Sequence, residues 1–167
     1  AAFQLYDAQK KAVGEPRTTG ADGKATWSHL VYGTYYVVET AAPVGYQLDS
    51  TWHEVSVNQQ TVLLPMRNTP VNGSIRVVKK SAGEKRTLAG AQFELLVKTA
   101  RGYERAKTED GEEIPVLTTD ANGMATWAGI DYGDYYVHEV MPPEGYLAND
   151  EYVPISVRVQ GALSYVS

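Results

Sequence analysis

The chain carries two copies of one pattern. TTGADGKATW at 18–27 returns as TTDANGMATW at 118–127, and YGTYYVVETAAPVGY at 32–46 returns as YGDYYVHEVMPPEGY at 132–146. Both pairs stand one hundred positions apart, whereas Phe3 in AAFQLYD matches Phe93 in GAQFELL, ninety positions on. The second copy therefore holds ten extra residues, in the polar stretch KTARGYERAKTEDGEE at 98–113, and a surface loop is where such an insertion is tolerated. A period near one hundred is too long for a solenoid unit and suits a small independent domain. The 167 residues are thus expected to form two domains, 1–70 and 71–167, with TPVNGS at 69–74 as the linker.

Each copy reads as all-β. Short alternating runs are separated by turn dipeptides, and no window keeps a helical period. Ala25–Leu30, Tyr35–Thr40, His53–Asn58 and Thr61–Met66 are the expected strands of the first copy; Ser74–Lys80 and Ala91–Val97 open the second. Asp22-Gly23 and Asn122-Gly123 fit two-residue type I′ turns. About seven short strands in under one hundred residues point to a sandwich. The copies differ at their ends. GSIRVVKKS has no counterpart in the first copy, and the position matching Asn68 falls just past Ser167. The first sandwich is expected to lack its opening strand and the second the end of its last. The chain also begins in mid-pattern, as a piece of a longer protein would.

Strand parity isolates one misfit. Tyr35, Val37 and Glu39 share a face, as do Tyr135, Val137 and Glu139. A carboxylate on an otherwise apolar inward face is costly unless it has a partner, and both copies repeat the misfit. In the opening strand Ile75, Val77 and Lys79 share a face, which makes Lys79, not Lys80, the lysine to expect inside. A buried lysine and a buried glutamate in one core would explain each other.

Composition excludes several classes. A net charge of −5 argues against nucleic-acid or anionic-membrane partners. With no cysteine there are no disulfides and no thiolate chemistry. His29, His53 and His138 do not match between copies, so no metal or cofactor is expected. Trp27 and Trp127 are expected in the core beneath the glutamate strands, and Tyr36 and Tyr136 on the opposite face.

The pattern GSIRVVKKS…LAGAQFELL…TTDANGMATWAGIDYGDYYVHEVMPPEGY resembles the Cna B-type (SpaA-like, prealbumin-like) domain of Gram-positive surface adhesins and pilins. ETAAPVGY and EVMPPEGY resemble its glutamate-bearing E-box motif. The resemblance implies two Ig-like, prealbumin-like sandwiches in a cell-wall-anchored surface protein, partnered by neighbouring domains or pilin subunits. It also implies an isopeptide bond between a first-strand lysine and a last-strand asparagine, assisted by the glutamate. Carried over residue by residue, Glu39 and Glu139 are the catalytic residues, Lys79 the nucleophile of the second copy and Asn68 the acceptor of the first. Neither copy holds all three groups. An amine attacks only when neutral, and an apolar setting favours the neutral forms of amines and carboxylic acids alike. A protonated carboxyl group can polarise the amide and move protons as ammonia leaves.

The expected function is a stiff stalk that is no enzyme beyond this single turnover. The alternative is a binding module that grips host glycan or matrix protein through loops, the 98–113 stretch and Tyr103 above all. A hydrolase ranks last, because no nucleophile–base pair is visible. LLPMRNTP is not a sorting signal of the LPxTG type, so wall anchoring follows from the resemblance alone.

Overall fold

The computed structural model describes residues 1–83 and 85–167, and every regular element among them is a β-strand. The chain divides into two compact units, Ala1–Pro70 and Val71–Ser167.

The second unit is a two-sheet sandwich. One sheet runs β11 (Tyr152–Val157), β10 (Gly133–Met141), β6 (Gln92–Thr99), β7 (Gly102–Arg105), with the short β8 (Leu117–Thr118) also on β6. The other runs β12 (Leu163–Val166), β5 (Asn72–Val78), β9 (Met124–Asp131). Ile75, Val77 and Trp127 from the small sheet pack on Phe93, Leu95, Tyr135 and Val137 from the large one. Ile75, Leu95 and Val137 are less than 2% exposed, and burying each contributes roughly 1.5–3 kcal/mol. The expected alternation holds along β5, where Ile75 and Val77 are buried and Arg76 and Val78 are not.

The stretch TPVNGS is less of a linker than its composition suggests, because Asn72–Ser74 already belong to β5. Gly73 is there for space: a Cβ would stand 2.8 Å from the Ala162 carbonyl oxygen.

The first unit has a single sheet, β2 (Arg17–Thr18), β1 (Ala2–Asp7), β3 (Gly33–Ala41), β4 (His53–Val57). β1 and β3 match β6 and β10, pairing Phe3 with Glu39 as Phe93 pairs with Glu139. Two expected strands are absent. Ala25–Leu30 and Thr61–Met66 are irregular, although their counterparts lie in β9 and β12. β9 and β12 both hydrogen-bond to β5, and no segment of this chain does that service in the first unit. An apolar alternating run without a ladder partner has the pattern of a strand but not its hydrogen bonds. Trp27 is accordingly only partly buried, whereas Trp127 is 3% exposed.

The turns also differ from expectation. Gly23 and Gly123 have φ of 72° and 71°, but Asp22 and Asn122 do not enter the positive-φ region that a type I′ turn requires of both. Gly123 N donates to the Asp120 carbonyl, and Asp120 N to that of Met124. A four-residue turn closed by a left-handed glycine puts the strained geometry on the residue that tolerates it.

Candidate functional site

Two buried carboxylates organise the units. Glu39 is 2% exposed and Glu139 4%. Each sits immediately before a β-bulge: β3 pairs Phe3 with Glu39 but Ala2 with Ala41, and β10 pairs Phe93 with Glu139 but Gln92 with Met141. Thr40 and Val140 are the unpaired extra residues, and such bulges re-aim neighbouring side chains.

In the first unit Glu39 meets Asn68. The Asn68 amide Nδ2 donates to Oε1 at 2.9 Å and Oε2 at 2.8 Å, and also to the Gln47 carbonyl at 3.2 Å. Gln47 is itself tied to the same segment, its N–H donating to Thr69 and its side-chain amide to the Pro70 carbonyl. Asp49 N donates to Glu39 Oε2 at 2.9 Å.

In the second unit Glu139 meets Lys79. Nζ lies 2.8 Å from Oε1 and 3.0 Å from Oε2. The Lys79 side chain is 18% exposed, so the pair sits at the lip of the core rather than its centre. Asn149 N donates to Glu139 Oε2 at 3.0 Å, repeating the Asp49 contact. Oε1 touches Nζ yet takes no well-directed hydrogen bond, whereas both oxygens of Glu39 accept from Asn68. The backbone of Lys79 is pinned on both sides: its N–H donates to Gly123 and its carbonyl accepts from Leu88. A Cβ on Gly123 would stand 2.8 Å from that carbonyl oxygen.

The structure thus brings Glu39 to Asn68 and Lys79 to Glu139, while Lys80 points outward. Sequence reasoning missed the bulge and the backbone donors at Asp49 and Asn149. A signal was there, because both copies place an Asp or Asn ten residues after the glutamate. Each side chain accepts from the N–H two residues on, Thr51 or Glu151, and this Asx turn aims its own N–H at the carboxylate. Asp49 also meets His53 Nε2 at 2.7 Å. Hydrogen bonds from Thr51 first, and then from His53, hold the Asp49 carboxyl down at about 2.

On the outer face of the glutamate sheet the first unit carries a cluster of three rings and the second a cluster of four, His138 stacking on Tyr152 at 4.5 Å. Trp52 lies 4.4 Å from Tyr6 and 6.1 Å from Tyr36; Tyr103 lies 4.1 Å from Tyr152 and 4.9 Å from Tyr136. Tyr103 comes from the insertion, which is an ordered strand and turn rather than a merely solvated loop. Its ring stacks on Tyr152, meets the edge of Tyr136 and has Lys98 Nζ 5.8 Å from its centroid, and it remains 39% exposed.

Sandwich sheets with a buried carboxylate held by an amide in one unit and an amine in the other define the class. The chain belongs to the SpaA prealbumin-like fold domain family, whose model matches residues 1–70 and again 73–167. It is similar to the TIE protein of Bacillus anthracis at 26% identity and a TM-score of 0.80, over 99% of this chain and 29% of that one. It therefore spans less than a third of that protein's length. A streptococcal ancillary pilin shares 21% identity and a TM-score of 0.50, over 99% of this chain and 55% of that one. The C-terminal fragment of the pilus adhesin SpaC from Lactobacillus rhamnosus GG shares 21% identity and a TM-score of 0.51, over 96% and 74%. Those two likenesses speak to the fold. No curated protein matches the sequence.

Proposed function

We propose that the chain is a stalk segment of a Gram-positive cell-surface adhesin or pilin, with domains locked by an internal lysine–asparagine isopeptide bond that the buried glutamate promotes. The observation that carries this reading is Asn68 held by both oxygens of Glu39, at the place corresponding to the Lys79–Glu139 contact in the other copy. Strand register supports it. β12 runs parallel to β5 with Val166 opposite Val77, so two positions further the register reaches Lys79, and Asn68 is the first unit's residue for that place.

In the reaction the lysine nitrogen attacks Cγ of the asparagine, the Cγ–Nδ2 bond breaks and ammonia departs. The glutamate carries the proton lost by the amine to the leaving nitrogen. Asp49 N and the Gln47 carbonyl hold carboxylate and amide in place, so that proximity supplies most of the rate. A cross-link spanning most of a domain stabilises it by ~4 kcal/mol on the loop-entropy argument used for disulfides. It would give a cysteine-free stalk what disulfides give others, with neighbouring domains or pilin subunits as partners on the bacterial surface.

The test uses the chain as it stands. A synthetic peptide copying Gly73–Ser81 brings a lysine to the Glu39–Asn68 site of the first unit. The expected product survives denaturation with the summed mass of chain and peptide less one ammonia, and Glu39→Ala or Asn68→Ala abolishes it. Unchanged mass with the native chain rules out the isopeptide chemistry.

A further inference from the structure

The second unit has a cleft that the glutamate site does not use. It encloses about 430 Å³ between the turn of the insertion and β9, within the range of ligand sites. Its floor is apolar: Trp127, Ile130 and Tyr135 are each under 9% exposed, and the indole N–H is already satisfied by the Pro115 carbonyl at 2.8 Å. The wall is a built turn. The backbones of Lys107 and Glu113 form an antiparallel β-bridge, Thr108 N donates to the Glu112 carbonyl, and Gly111 N donates back to that of Thr108. The first unit repeats this turn, where Asp7 N donates to Lys11 and Lys10 N donates back to Asp7, but there the matching edge, residues 24–31, is irregular.

Two features say what would fit. β9 is the outermost strand of its sheet and pairs with β5 alone among the described residues, leaving one row of backbone donors and acceptors without a ladder partner along the cleft. β9 reads MATWAGID and has none of the lysines or prolines that usually guard an exposed edge, and its one interruption is the bulge at Ala128–Gly129, where Gly129 has a φ of 66°. Beside that edge the cleft carries the carboxylates of Glu109, Asp110 and Asp131 against the single ammonium of Lys107. A free strand edge takes an extended backbone, and a rim of one sign selects the opposite charge.

We propose that this cleft binds an extended basic segment of a partner protein. The segment adds to the edge of β9 as a further strand, while its lysine or arginine side chains meet Glu109, Asp110 and Asp131. This surface is independent of the isopeptide reading, since neither Lys79 nor Glu139 lines it.

The experiment is an NMR titration of the isotopically labelled full chain with a capped peptide alternating valine and lysine. Controls are the same peptide with glutamate for lysine, and the basic peptide N-methylated along one edge. Saturable shifts confined to Thr126–Asp131 and Thr108–Asp110 are expected, about tenfold weaker for the exposed double variant Glu109→Lys/Asp110→Lys and lost with the N-methylated peptide. Equal binding of the acidic peptide, shifts elsewhere or no saturable binding would overturn the proposal. So would β9 shifts that follow protein concentration without peptide, which would mean pairing with a second copy.

Discussion

Lys79 and Glu139 depend on each other. Glu139→Ala leaves the Lys79 amine at the lip of the core with no carboxylate, and breaking a buried pair on one side costs ~3 kcal/mol, the low end of the known range because Lys79 keeps some solvent contact. Hydrogen exchange of the β5 amides should then speed up by about a hundredfold, and an unchanged rate would mean the pair contributes nothing to the fold. Asp49 gives a pH prediction. Its carboxyl is held at about 2 against an ordinary 3.8, so its contribution is complete above pH ~4 and is lost as pH falls through about 2. A carboxyl NMR titration should find Asp49 still ionised at pH 3, and His53→Ala should raise its midpoint. The glutamates were legible in sequence because period-2 parity exposes a polar residue on an apolar face. The bulge beside them was not, since it arises where two strands lose register, which neither strand encodes alone.

At the scale of elements, the matched turns provide an internal control. Gly123 combines a φ of 71° with a carbonyl 2.8 Å from where its Cβ would be, whereas Gly23, at 72°, has nothing within 4 Å. Gly123→Ala should destabilise by well over ~1 kcal/mol and displace Lys79, while Gly23→Ala should cost only the backbone strain, about 1 kcal/mol. Comparing the two melting curves checks this, and equal losses would show that the close approach to Lys79 is unimportant. β9 and β12 show how far an element is decided by its neighbours. Residues 24–31 and 61–66 share much of the alternating pattern of those strands, yet remain irregular where β5 has no counterpart.

For the whole molecule, the two units differ in how much core they own. The buried cluster of the first comprises Phe3, Leu5 and Val37, while that of the second has twelve members among the described residues, Ile75 and Leu95 included. The first unit should therefore melt first in calorimetry of the intact chain, and the Gly73–Ser81 peptide should raise that transition selectively. A single transition, or a rise in the second one, would contradict this ordering.

The sequence by itself determined the duplication, the all-β class and the two buried glutamates, because repeats, alternation and a misplaced charge are properties of the chain in one dimension. The inward turn of Lys79 also followed from parity along β5. Only the tertiary structure decided which run with strand pattern becomes a strand, which backbone N–H groups reach the glutamates, and that the turn at 107–113 walls a cleft beside β9. Those outcomes depend on partners distant in sequence: a hydrogen-bond ladder needs two strands, and a cleft needs two walls.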